Sequence, residues 1–412
     1  MAGTAPPGRQ LAALFLITFI NLVGFGVVLP VFPFFGNMVQ ASPGETTLAM
    51  AAYSLGQFVG APLWGKLSDR YGRRPILIAS LIGAIVSYLI LAVARDIVTL
   101  GASRLFGGLM ACNIAAAFAY VGDITSPEER PRAMGMIGAA FGLGFIFGPA
   151  IGGLLAGNHP DLADFAIVGY ASAAITAVAA VAAFFLLPES LTAERRAQAH
   201  ATRAGLKAAD LLRTKPVIWA LMALTLLVIG SAAMMETTLA FFAHDEFGWG
   251  PSDVGLSFGA VGLISAALQG GAAGPLARRF GSGKLAVAGV TFHAGGLTLL
   301  ALADSSIAMI VALGVMAVGL GLFNPAFQTL TSEQTNDGDR GLVMGLTQGA
   351  SSLGRVIGPA VSGTIYAGIG HRSPFGIGAA IMLGAIGVAA LTAGRGARSI
   401  RPARESGSEV RR

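Results

Sequence analysis

Apolar residues run along this chain in blocks of about twenty, each closed by a short cluster of Gly, Pro and charged residues. The blocks lack the two-residue alternation of a half-buried strand and the one-sided stripe of a surface helix; they are apolar all round. A helix needs about 20 such residues to cross ~30 Å of hydrocarbon. On that criterion the pattern predicts twelve membrane-spanning helices, here spans 1 to 12: Gln10–Phe34, Thr46–Lys66, Arg74–Ala94, Val98–Tyr120, Ala133–Ala156, Ala163–Leu187, Pro216–Ala243, Asp253–Leu276, Lys284–Ala303, Ile307–Thr329, Gly341–Ala367 and Pro374–Gly394. Span 1 keeps Pro30 and Pro33 at its far end and shows no cleavage-site pattern, so it reads as a span and not as a signal peptide. The expected fold class is an all-α polytopic membrane protein.

Composition excludes the alternatives. Of 412 residues, 54 % are hydrophobic and only 12 % charged, about half the charged share of a soluble domain. A water-soluble globule and a disordered chain are both ruled out. A single cysteine, Cys112, leaves no disulfide framework and no cysteine-built metal site. The formal net charge is +6, but its placement speaks for topology rather than nucleic acid. The amino terminus and the even-numbered connections carry Arg9, the Lys66–Arg74 cluster, Arg130, Arg132, six basic residues from Arg195 to Lys215, Arg278, Arg279, Lys284 and Arg340. The odd-numbered connections hold only Arg95 and Arg372, while Arg104 and Arg355 fall inside spans. By the positive-inside rule both termini are expected in the cytoplasm. Residues 188–215 read as a cytoplasmic linker between bundles 1–187 and 216–394, and residues 395–412 as a basic cytoplasmic tail.

The two halves repeat. A shift of 210 sets Asp123 on Glu333, Arg130 on Arg340, Gly144 on Gly354, Gly148-Pro149 on Gly358-Pro359 and Gly153 on Gly363. A shift of 209 sets Gly65 on Gly274, Arg70 on Arg279 and Gly72 on Gly281. A parallel repeat of six spans predicts two six-helix bundles related by an axis along the membrane normal. It also predicts a substrate site near the midplane between them, with access alternating as the bundles rock.

Gly65-Lys-Leu-Ser-Asp69-Arg70-Tyr-Gly72-Arg73-Arg74, between spans 2 and 3, resembles the signature of the major facilitator superfamily. Gly144-Phe-Ile-Phe-Gly148-Pro149-Ala-Ile-Gly152-Gly153 in span 5 resembles the motif that marks its antiporters, and Arg104-Leu-Phe-Gly107-Gly108 matches a third motif in part, with Gly107 where Gln is usual. Asn21-Leu-Val-Gly24-Phe-Gly26-Val-Val-Leu-Pro30 and Tyr120-Val-Gly-Asp123-Ile-Thr125 are similar to the tetracycline-exporter branch of the drug–proton antiporters.

Each motif has a physical reading beside the resemblance. Gly65 and Gly72 permit a tight turn with close backbone approach. Asp69 is an acid in a loop where orientation alone asks for bases; it is suited to accept hydrogen bonds from orphan amides at a helix amino terminus. The resemblance assigns that terminus to span 11. It implies that Asp69, Arg73 and Asp123, with Arg70 in the same loop, latch the cytoplasmic side in the outward-open state; otherwise the loop serves orientation only. Gly144, Gly148 and Gly152 recur on one helix face that admits a partner backbone, and Pro149 loosens the span.

Ionisable groups inside spans are costly and face a cavity or a partner. The proton-coupling candidates are Glu236 in span 7, His293 in span 9 and Arg104 in span 4. Snorkelling to headgroups remains open for Arg104 and Glu236, and a helix-to-helix hydrogen bond for His293. Asn21, Asn113, Gln269, Asn324, Gln328 and Phe241 are substrate-pocket candidates, with interhelical bonding or simple packing as the other reading. The tetracycline exporters have aspartates in spans 1, 3 and 9 and a histidine in span 8; Asn21, Ser87, His293 and Ser265 stand at those places here. That argues against a magnesium–tetracycline substrate and would move proton coupling to Glu236, His293 and Asp123. No P-loop, catalytic triad or zinc pattern is present, so an enzyme and an ATP-driven pump are not expected. The expected function is export of a drug or small amphiphilic metabolite by proton antiport. The alternative is proton-coupled or facilitated uptake of a small solute. By resemblance, the chain acts as a monomer in a bacterial inner membrane, with small-molecule substrate, protons and lipid as partners and no cofactor, metal or nucleic acid.

Overall fold

A computed structural model describes residues 7–111, 113–126, 128–191, 212–213, 215–335 and 339–399. Among these residues the secondary structure is helical, without strands. The first half contains α1 (Pro7–Val28), α2 (Phe32–Met38), α3 (Pro43–Tyr71), α4 (Arg73–Val93), α5 (Ile97–Met110), α6 (Asn113–Ile124), α7 (Arg130–Ala156) and α8 (Leu162–Leu186). The second contains α9 (Pro216–Phe247), α10 (Pro251–Ala267), a π-helical turn (Leu268–Ala272), α11 (Ala273–Phe280), α12 (Ser282–Ala301), α13 (Ser306–Glu333), α14 (Arg340–Ile369) and α15 (Ser373–Ser399).

Helices stand on all twelve predicted segments, but three segments are broken. Span 1 divides into α1 and α2 around Leu29–Val31, where Pro30 and Pro33 remove backbone donors. Span 4 divides at Ala111, and span 8 passes through the π turn. Among the described residues nine helical segments are long and apolar enough to cross a membrane. Three segments fall short. α3 and α14 carry several charged or small polar residues, and α5 is too short to cross without α6.

Apolar packing gathers in separate cores. Two clusters draw only on positions between Ala13 and Leu187. The largest runs from Leu221 to Ala389 and takes in one residue of the first half, Phe34, whose ring meets His244 edge-on at 5.5 Å. The internal repeat extends to backbone geometry. Gly72, between α3 and α4, has φ 110° and ψ 163°; its counterpart Gly281, between α11 and α12, has φ 88° and ψ 147°. Both lie in the left-handed region that favours glycine.

Two helix pairs make most of the contact between the halves, α3 with α14 and α7 with α10, and α9 adds smaller contacts with α2 and α3. The described first half ends at Leu191 and the second resumes at Lys215 on one face, called here the linker face; the opposite face is the far face. The close approaches between halves lie toward the far face. A Cβ on Gly363 would collide with Pro43 and Thr47, the Gly363 amide donates to Thr47 Oγ1 at 3.2 Å, and Gly153 abuts Pro251 and Gly255. Toward the linker face α7 makes no extensive contact with the π turn or α11 among the described residues. There Gly65, Gly135, Gly138, Gly270, Gly271, Gly345 and Gly349 have open space where a Cβ would be, and Leu63, Gly65, Lys66 and Leu67 are all exposed. The bundles therefore meet at the far face and part toward the linker face.

Candidate functional site

The glycine face of α7 seats this helix between the two halves. A Cβ on Gly144 would meet Leu22, one on Gly148 would meet Gly26 and Val23, and one on Gly152 would run into the Val27 carbonyl. One position on, Gly153 turns to α10, where Ser252 donates from Oγ to the Gly153 carbonyl at 2.9 Å. The Pro149 carbonyl faces Gly255 of α10. Small residues on one face thus let α1 lie against α7 within its own half, and the adjoining face holds the far-face seal.

At the linker face an ion network ties α3, α4 and α6. Arg73 Nη1 donates to Asp69 Oδ1 at 2.7 Å and to Ser68 Oγ at 3.1 Å, while Arg73 Nε donates to Asp123 Oδ2 at 3.1 Å. Ser190 Oγ also donates to Asp123 Oδ2, at 3.1 Å. The Glu189 carboxylate accepts the backbone amides of Arg73 and Arg74, the orphan donors at the start of α4. Glycine is favoured at position 72 by its φ of 110°, and a Cβ there would also press on that carboxylate. Arg70 is exposed and lies over the Tyr71 ring at 5.3 Å. In the second half Ser282 donates to Glu333; offsets of 209 and 210 make these the counterparts of Arg73 and Asp123. The link survives in both halves, with a hydroxyl standing in for the guanidinium. The expected docking of Asp69 at the start of span 11 concerns residues 336–338 and the side chains of Arg340 and Gly341, which lie outside the described residues.

Between the halves lies a cavity of about 80 Å³ walled by α1, α2, α3, α5, α7, α9 and α14. Phe25, Phe32, Tyr53 and Phe145 give it an aromatic side, and Arg104, Glu236 and Arg355 are its charged wall residues. The rings of Tyr53 and Phe25 are tilted to each other with centroids 4.9 Å apart, and Phe25 meets Phe145 edge-on at 6.1 Å. Arg104 does not reach the headgroups: it is 4 % exposed, and its guanidinium sits among the rings of Phe32, Tyr53 and Tyr88 at 5.9, 5.7 and 5.6 Å. Its Nε and Nη2 have no hydrogen-bond partner among the described residues. Glu236 is half-buried, within electrostatic reach of Arg355, and makes no hydrogen bond or ion pair among the described residues. Thr237 beside it shares a hydrogen bond of 3.0 Å with Ser362, linking α9 to α14.

Other candidates stand elsewhere. His293 is fully buried where α12 crosses α13, with both ring nitrogens unpartnered among the described residues, and does not line the cavity. Phe241 packs in the second-half core, 5.8 Å from the Tyr366 ring. Asn21 is buried on α1 one turn before Phe25; Asn324 is half-buried on α13; Gln328 on that helix and Gln269 in the π turn are exposed. None of these four lines the cavity. The side chain of Asn113 lies outside the described residues. Ser87 donates to the Ser103 carbonyl at 2.8 Å, and Ser265 to that of Ala317 at 3.1 Å, so both fasten helices within a half. Sequence reasoning missed Glu189 and Ser190, although an acid directly after Pro188 at a span end is a capping signal. It recorded Arg355 inside a span but gave it no role.

Paired helical bundles around a charged, aromatic cavity define a multi-pass membrane transporter. The chain belongs to the major facilitator superfamily: the sequence model described as Major Facilitator Superfamily matches residues 14–272 and again 245–411. It is 33 % identical to the tetracycline resistance protein, class C, of Escherichia coli, over 84 % of this chain and 87 % of the relative. Among solved structures, the human organic anion transporter MFSD10 (TETRAN) superposes with a TM-score of 0.70 at 24 % identity, covering 94 % of this chain and 100 % of the other. A bacterial homolog of the human lysosomal transporter Spinster, inward-facing and occupied, gives 0.77 at 16 % identity over 96 % and 98 %. The fold is that of these transporters, and the chain is not an enzyme.

Proposed function

We propose that the chain exports a drug or small amphiphilic metabolite by proton antiport, and that Glu236 is the coupling carboxylate. One observation carries this reading: Glu236 faces the cavity between the halves with no partner holding it, beside the cation of Arg355. A carboxyl inside a membrane protein is tolerated where it has work at a cavity. A proton and a positive or hydrogen-donating group of the substrate exclude each other at one carboxylate, which is the minimum that antiport requires.

The basic connections put the linker face in the cytoplasm, so the described state is open inward and sealed outside. Motion to the outward-open state closes the gap beside α11 and brings the loop of Asp69 and Arg73 toward the second half. Export is supported by the tetracycline resistance relatives and by the span 5 motif. Localisation to a bacterial inner membrane and action as a monomer belong to the same reading.

The test is Glu236→Gln in proteoliposomes, with tetracycline and a panel of amphiphilic dyes as probes. Loss of pH-driven flux with substrate exchange retained is the expected result. A variant that still concentrates a probe at the expense of the proton gradient overturns the assignment.

A further inference from the structure

We infer that Arg104 is an anion subsite, and that the transported ligand is an amphoteric amphiphile carrying a carboxylate or similar acidic group on an aromatic or aliphatic body. This deepens the proposed function and rests on its reading of the cavity as the substrate site.

The cavity's charges do not balance: Arg104 and Arg355 face a single carboxylate, Glu236. Arg355 is the cation that acts on Glu236; no ion pair holds Arg104 among the described residues. An unpaired guanidinium in a membrane interior is unfavourable unless an anion or a full set of acceptors compensates it. Three aromatic rings lie around it. Such contacts stabilise the cation through its charge but leave its in-plane donors unbonded. The orphaned donors are Nε and Nη2, the pair on one guanidinium edge that can hold a carboxylate through two parallel hydrogen bonds. Both atoms are buried, so the side chain must turn this edge into the cavity when the ligand binds.

The rings of Phe25, Phe32, Tyr53 and Phe145 receive the ligand's apolar body. Antiport adds one condition, because the same ligand must compete with the proton at Glu236. An amine or other donor at its second end meets that condition. A simple organic acid is therefore bound, but its binding does not displace the proton.

Four naphthyl probes separate these features: 1-naphthaleneacetate (acid only), its carboxamide (neither charge), 1-naphthylmethylamine (amine only) and 3-(1-naphthyl)alanine (both). Binding is read as the concentration that half-saturates thermal stabilisation of the purified full-length protein. The acid should bind about tenfold or more tightly than its amide, as expected for a charge-assisted pair. Naphthylalanine should bind at least as well as the acid. In Arg104→Gln the acid and amide should become equal, and in Arg104→Lys, which lacks the fork, their ratio should shrink.

Equal binding of acid and amide to the unmodified protein overturns the proposal whether or not either variant folds. An unchanged ratio in a folded Arg104 variant overturns it as well. Failure of the antiport reading is distinguishable: acid binding that depends on Arg104, in a protein that moves no protons, leaves the subsite standing and removes the coupling.

Discussion

Replacing Gly148 by alanine tests how the span 5 glycines hold α7 against α1, beside the seal between the halves. The added Cβ would stand 2.7 Å from Gly26 Cα and 2.9 Å from the Val23 carbonyl oxygen. Ordinary contact begins at 3.4 Å, so α1 and α7 must part by about 0.7 Å, since both neighbours are backbone and cannot rotate aside. Overpacking of this kind costs ~1–3 kcal/mol, against ~0.5–1 kcal/mol gained by removing a helical glycine. The net loss is about 1–2 kcal/mol, which lowers the midpoint by roughly 2–8 °C for a bundle of this size. Gly138→Ala is the control on the same helix, because nothing lies within 4 Å of a Cβ there; its midpoint should hold or rise slightly. The assay is thermal unfolding in detergent, followed by tryptophan fluorescence, with proton leak measured in proteoliposomes. Because α7 also seals against α10 through Gly153, Gly148→Ala should leak as well as melt earlier. Wild-type melting and sealing in Gly148→Ala, or equal damage from Gly138→Ala, refutes the reasoning.

Asp69→Asn should insert normally yet cut transport about tenfold, since it replaces a charge-assisted bond to Arg73 with a neutral one; unimpaired flux in the inserted variant reduces the motif to an orientation signal. Reporter fusions after Thr214 should read as cytoplasmic and fusions within 161–164 as external, and the opposite pattern inverts the topology. Asp161 caps α8 by accepting the amides of Ala163 and Asp164, which holds its carboxyl below the ordinary value of 3.8. A depressed carboxyl stabilises the fold above its unfolded pKa and loses that contribution as the pH falls through its folded value. Acid-induced loss of the midpoint below pH 3.8 should therefore be smaller in Asp161→Ala than in the unmodified protein, and equal losses contradict the cap.

Some of this was legible in the sequence because it is one-dimensional. Spans are read by length and apolarity, the repeat by offset, and the glycine face of α7 by a spacing of four. Asp69, Arg73 and Asp123 were brought together by resemblance, and their side chains do meet. What periodicity does not supply is rotation about each helix axis. Arg104 and Glu236 line the cavity, whereas His293, also an ionisable group inside a span, turns into the contact of α12 with α13. An apolar span has nearly the same hydrophobicity on every face, so no moment marks the inward side. The break in span 4 was equally hidden, because apolar composition continues through Ala111, whereas Gln269-Gly270-Gly271 in span 8 carried a signal in its paired glycines.

Proton movement in energised, inside-out membrane vesicles containing the protein tests the central claim most directly. With the lumen acidified and monitored by a pH-sensitive dye, addition of 3-(1-naphthyl)alanine should release protons from the lumen as the probe accumulates inside. Glu236→Gln vesicles should show neither effect. Probe accumulation without proton release, or further acidification of the lumen on its addition, contradicts proton antiport through this cavity.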